Sequence, residues 1–111
     1  MRKSRISARI GTLRQLEILL AVHDHGSISS AAKNLFLTQP TVSMQMKKLS
    51  DAIGAPLYNI HNREMTFTLE GLETVKTAVE VLDSFSRLER SLSDMKELKS
   101  GTLRILSLIH I

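Results

Sequence analysis

Between Ser29 and Leu49 the chain reads SSAAKNLFLTQPTVSMQMKKL, and few arrangements accommodate that order of residues. Thr38 is suited to cap a helix whose first turn holds Pro40, where a missing amide hydrogen costs nothing. At about 100° per residue, Val42, Met46, Leu49 and Ile53 fall on one side of that helix. Pro40, Ser43, Met44, Lys47 and Lys48 fall on the other, so one face is core and the opposite face stays polar and basic. Upstream, Ser27, Ser29 and Ser30 offer caps for a shorter helix with its body at Ser30–Leu35 and Ile28 as a hydrophobic staple. Ala31 and Ala32 allow a close helix crossing, and Leu35 and Leu37 can enter the core beneath the turn. Two short helices joined by a tight turn, the second with a polar basic face, is how a helix-turn-helix meets DNA.

The rest of the chain reads as support for that unit. Residues 1–11 are basic and short on large apolar side chains, which predicts a mobile arm. From Thr12, a possible cap, Leu13, Leu16 and Leu20 with Leu19 and Val22 recur at helical spacing until Gly26 stops them. Gly54 and Pro56 end the helix that Thr38 begins. Leu57–Thr68 then alternates loosely around His61-Asn62-Arg63-Glu64, which predicts a small hairpin, a wing beside the helix pair. Thr68 caps a long helix with Glu70 and Glu73 near its positive end. Its apolar residues, Leu72, Val75, Val79, Leu82, Phe85, Leu88, Leu92 and Met95, run close to a heptad. A helix of roughly 28 residues is about 42 Å long, too long to bury its stripe on so small a domain, so a partner helix is expected. Lys99, Ser100 and Gly101 are expected to close it, and Thr102–Ile111 to form a buried strand that opens a further domain.

Composition narrows the classes. Residues 1–66 hold nine Lys/Arg against four Asp/Glu, and residues 67–111 hold six against seven, so the polyanion-binding half is the first. The absence of cysteine excludes disulfides and thiolate metal sites. No apolar run approaches the ~18 residues of a membrane span, and the basic start leads into an amphipathic segment, not a signal-peptide core. A cytoplasmic protein with no membrane role is the simplest expectation. Enzyme chemistry lacks material: His23 and His25 are two apart and share no helix face, and His61 and His110 have no nearby ligands in sequence. No catalysis, metal or cofactor is expected.

From Thr38 to Leu49 the chain resembles the LysR-type transcriptional regulators, whose signature here is Ser/Thr-Gln-Pro, then Ser, then Gln and a basic residue before Leu. Supporting matches are Leu13-Arg14-Gln15-Leu16, Gly26-Ser27, Ala31-Ala32, Leu35, Gly54, Leu57-Tyr58, Thr68, Gly71 and Gly101-Thr102-Leu103-Arg104-Ile105. The resemblance covers residues 12 to about 106 in order. It implies a winged helix-turn-helix, a linker helix that dimerises the N-terminal regions, and a C-terminal effector-binding domain of periplasmic-binding-protein type. The Val-Ser-Met-Gln wording is similar to the branch that regulates carbon-fixation operons. Two departures stand out. Many relatives carry Arg where this chain has Met44, which leaves that position apolar contact alone, such as with a thymine methyl. In the wing, relatives often have Arg near Ile60 and Gly near Asn62, leaving Arg63 as the cation of the tip.

These readings combine into a mainly α chain, a winged helix-turn-helix followed by a long dimerisation (linker) helix. The expected layout is a basic arm at 1–11, the DNA-binding domain at 12–68, the linker helix at 69–99, and the start of a truncated effector-binding domain at 100–111. Double-stranded DNA is the expected partner, met by Gln39 and Pro40 at base edges, Met44 at a methyl, and Ser29, Ser30, Thr38 and Ser43 at phosphates. Lys47, Lys48 and Arg63 add salt-sensitive attraction. Leu72, Val75, Val79, Leu82 and Phe85 are expected to make a homodimer, with a tetramer open to the full-length protein and a small-molecule effector bound only through the missing domain. The competing expectation is a coiled-coil interaction module without specific DNA binding.

Overall fold

The computed structural model describes residues 13–109, with side chains described as far as Lys99. The basic arm, the Thr12 cap, His110 and Ile111 lie outside the described residues. The element order is α1 (Leu13–His25), α2 (Ile28–Leu35), α3 (Gln39–Ile53), β1 (Tyr58–His61), β2 (Glu64–Phe67) and α4 (Leu69–Ile109). The fold is mainly α with a small antiparallel wing, as expected.

Helix α1 is the centre of the core. It buries Leu16, Ile18, Leu19, Ala21 and Val22, while Leu13 at the head of the expected stripe is exposed. Ala31 and Ala32 of α2, Val42, Met46 and Leu49 of α3, and Val75 and Ala78 of α4 close around it with Leu57. The face assigned to α3 from its periodicity is thus the buried one, with Ala52 added and Ile53 partly buried.

The turn between α2 and α3 is made without glycine. Phe36 takes the left-handed conformation at φ 57, and the Leu37 N–H closes back on the Ala32 carbonyl at 2.9 Å. This is the 6→1 bond of a Schellman end, which satisfies carbonyls a helix would otherwise leave free. It sends Leu37 toward the core and leaves the Phe36 ring 95% exposed.

In the wing, Tyr58 pairs with Phe67 and His61 with Glu64, so Asn62 and Arg63 alone form the turn. Both have positive φ, 51 and 66, the signature of a type I′ turn whose twist matches the strands it joins. Phe67 lies tilted against Tyr58 with ring centroids 6.3 Å apart, and His23 meets Phe67 in a T-shaped contact at 5.1 Å. His23 therefore ties the end of α1 to the wing.

Thr68 starts α4 with a two-way hydroxyl. Its Oγ1 accepts from the Gly71 N–H at 2.9 Å and donates to the Pro56 carbonyl at 2.7 Å. The helix passes so close to the residue that leads into β1 that a Cβ on Gly71 would lie 1.9 Å from the Leu57 carbonyl oxygen. Two expectations for α4 are corrected. The helix does not close at Lys99–Gly101 but runs to Ile109, through most of the segment expected to be a strand. A lone strand leaves its backbone groups unpaired, whereas a helix satisfies them internally, and one glycine costs a helix only about 1 kcal/mol. Val75, assigned to the dimer face, is 8% exposed and packs in its own domain's core beside Ala78, with Leu82 partly buried. The stripe splits because the covered face is centred on residues 75, 78 and 82, while Leu72 and Val79, roughly 40–60° further round from Val75, sit on its flank and remain exposed.

Candidate nucleic-acid interface

Every residue singled out for DNA lies on the surface: Ser29, Ser30, Thr38, Gln39, Pro40, Ser43, Met44, Lys47, Lys48 and Arg63 are all exposed. Those on α3 are held there by buried residues of the same helix. Val42, Met46 and Leu49 have no exposure, and they rotate Ser43, Met44, Lys47 and Lys48 outward along one face of α3.

The starts of α2 and α3 converge. Ser27, not Ser29 or Ser30, caps α2: its hydroxyl accepts from the Ser30 N–H at 3.1 Å. Ser29 and Ser30 are therefore helical residues of the first turn, with their hydroxyls outside the cap. Thr38 caps α3 as expected, its Oγ1 lying 3.3 Å from the Thr41 N and 2.8 Å from the Thr41 hydroxyl. Gln39 follows as the first helical residue, and its Nε2 donates to the Ser29 hydroxyl at 3.3 Å. Neither α2 nor α3 has an acidic residue in its first turn, so the positive end of each helix is left uncompensated.

Arg63 stands apart from this group, in the two-residue turn at the tip of the wing. One contact escaped the sequence reading. Gln15, buried on α1, donates through its amide to the Gln45 amide oxygen on α3 at 3.0 Å. Two glutamines thirty positions apart give no periodic signal, and only their polarity on otherwise apolar or half-buried faces hinted at a partner. Among the described residues no cluster of His, Cys, Asp or Glu could hold a metal ion, and no helix is long and apolar enough to cross a membrane.

A recognition-type helix set over a three-helix core, with a two-stranded wing and a long helix behind it, defines a winged helix-turn-helix. The chain belongs to the lysR family of bacterial regulatory helix-turn-helix proteins, whose family model matches residues 13–72. It is 40% identical over 94 residues to the HTH-type transcriptional activator CmpR of Synechocystis sp. (strain ATCC 27184 / PCC 6803 / Kazusa), a match spanning 85% of this chain and 31% of that protein. It is 37% identical over 94 residues to a probable RuBisCO transcriptional regulator of Guillardia theta, spanning 85% of this chain and 30% of that one. Its fold matches the crystal structure of a CbnR_DBD-DNA complex with a TM-score of 0.70 and 29% identity, over 77% of this chain and 99% of that one. The chain thus spans under a third of the length of these curated relatives.

Proposed function

We propose that this chain is the DNA-binding and dimerisation part of a LysR-type transcriptional regulator, acting on double-stranded DNA in the cytoplasm and not as an enzyme. The observation that carries the reading is the exposed face of α3. It joins Gln39, Pro40, Ser43, Met44, Lys47 and Lys48 in one outward surface, and buried Val42, Met46 and Leu49 hold that surface rigid. That a similar fold has been crystallised in complex with DNA supports DNA as the partner.

In this reading α3 lies in the major groove with its N-terminal end toward the bases. The Gln39 amide pairs with adenine, a contact that discriminates by about 1–3 kcal/mol. Pro40 and Met44 offer apolar contact to thymine methyls. Ser29, Ser30, Thr38 and Ser43 hold phosphates, and Lys47, Lys48 and Arg63 add attraction that weakens with salt.

Two copies join through α4. Beyond Leu82 the helix has left its own domain, and Phe85, Leu88, Leu92 and Met95 remain half-exposed at steps of three, four and three. A two-fold pair places two recognition helices on a pseudo-palindromic site. Effector binding and tetramer formation belong to a C-terminal domain of the full-length regulator. The similarity to a RuBisCO regulator makes promoters of carbon-fixation operons the first operators to try.

The experiment is selection of bound duplexes from a random pool, followed by footprinting. A two-fold site with half-sites about one helical turn apart, or a multiple of that, is the expected result. Retention that is absent, or indifferent to salt, would favour the competing reading, a coiled-coil interaction module, which the exposed stripe of α4 also suits.

A further inference from the structure

We infer that Ser29 is a positioning residue for base readout: its hydroxyl fixes the side-chain amide of Gln39, coupling a backbone contact on α2 to a base contact on α3. The inference rests on the proposed reading of Gln39 as a base-edge contact.

The geometry carries it as follows. Gln39 is fully outside the core, and a long surface amide of this kind samples several rotamers and can flip end for end. Here its Nε2 is within hydrogen-bond reach of one hydroxyl, that of Ser29, ten positions earlier on another helix. A serine oxygen that accepts from Nε2 occupies one of the two amide hydrogens. The other hydrogen and the carbonyl oxygen stay free, and those two groups are what the edge of adenine requires, a donor to N7 and an acceptor from the N6 amine. With the serine as acceptor the nitrogen end of the amide is held toward α2, and a phosphate that takes the serine's own hydrogen keeps the serine in that role.

The serine keeps its own hydrogen. With its oxygen accepting from Gln39, the O–H can donate outward to a phosphate oxygen, and donation makes the same oxygen a better acceptor. A phosphate seated at the first turn of α2 thus tightens the Gln39 amide. Backbone contact and base contact form one chain of hydrogen bonds, phosphate to Ser29 to Gln39 to base. At 3.3 Å the central bond is long in the free protein, so water exclusion at the interface has room to shorten it.

Ser30 provides the comparison. It is also an exposed serine of the same turn, its backbone N–H is taken by the Ser27 cap, and Gln39 bonds to its neighbour instead. It serves as a phosphate contact without a link to Gln39.

The test uses the 111-residue chain and the duplex it selects from a random pool. Binding is measured to variants carrying each of the four base pairs at every position, for the wild type and for Gln39→Ala, Ser29→Ala, Ser29→Thr and Ser30→Ala. Gln39→Ala identifies the position it reads, where preference flattens. Ser29→Ala is expected to reduce preference at that position alone by roughly 3- to 10-fold, the range of one net hydrogen bond. Ser29→Thr is expected to restore the preference, and Ser29→Ala is expected to add no flattening in the Gln39→Ala background. Ser30→Ala is expected to weaken all duplexes equally. If Ser29→Ala also weakens all duplexes equally while Gln39→Ala still flattens one position, the coupling is overturned and the readout stands. If Gln39→Ala flattens no position, the readout and the coupling both fall.

Discussion

The Gln15 amide on α1 donates to the Gln45 amide oxygen on α3 at 3.0 Å, across the interface between the central helix and the helix that carries the exposed polar face. Gln45 lies between Met44, which faces out, and Met46, which is buried, so the bond pins α3 about its own axis at the boundary of its two faces. Gln15→Leu leaves the Gln45 oxygen without that donor in a half-dry site. The expected outcome is a loss of about 1 kcal/mol, read as a fall of several degrees in Tm. An unchanged Tm would show that the amide pair contributes no net stability.

Gly71 tolerates no side chain. Its missing Cβ is the space occupied by the Leu57 carbonyl, which in turn accepts the Thr68 N–H at 3.0 Å. Gly71→Ala must push α4 away from the wing and stretch the Thr68 cap with it. A loss of about 3 kcal/mol is expected in urea unfolding, at the upper end of what overpacking usually costs. Its failure to exceed an exposed-helix Gly→Ala change elsewhere would refute the close approach.

Phe36 bears two costs at once, a left-handed backbone and an uncovered ring. Asparagine accepts that backbone more readily and carries no exposed apolar ring. Phe36→Asn is expected to raise stability by about 0.5–1 kcal/mol, measured by denaturant midpoint with unchanged m value. A decrease would mean that the ring is covered in solution.

Much of this architecture is readable from caps and stripes. Thr38 announces α3, Thr68 announces α4, and Val42, Met46 and Leu49 identify the buried face, because capping and period are local properties of the chain. What was not readable depends on what lies opposite. Val75 belongs to the same apolar series as Val79, and only the position of α1 decides that one is core and the other exposed. Ser27, Ser29 and Ser30 compete equally as caps until the entry path of the chain selects Ser27. Gly101 carries a stop signal that acts only where the chain can turn and pack, and the backbone of α4 continues through it. Within the candidate site the residue types were legible, while the Ser29–Gln39 bond between helices was not.

Lys47 is an exposed cation on the outward face of α3. Lys47→Ala is expected to weaken binding to all duplexes alike and to reduce the slope of log K against log salt by about one. Loss confined to the selected sequence would instead assign Lys47 to a base.

Phe85 and Leu92 stand one heptad apart on the part of α4 beyond its own domain. Glutamate at both places charges in any helix–helix seam, while the domain core is untouched. The double variant Phe85→Glu, Leu92→Glu is expected to sediment as a monomer at concentrations where the wild type is a dimer, with its Tm for the domain retained. A dimer that survives both charges places the contact elsewhere.

Beyond Leu82, α4 is a lever arm. From Leu82 to Lys99 it extends ~26 Å at 1.5 Å per residue. Tilting it by about 10° swings one end relative to the other by ~4–5 Å, more than the 3.4 Å by which a DNA strand advances per base pair. In the proposed dimer, small changes in how two such arms cross would therefore retune the spacing of the heads they carry. Gly71, locked against Leu57 at the root of the arm, is what turns such a tilt into movement of the whole head and not into bending at the joint.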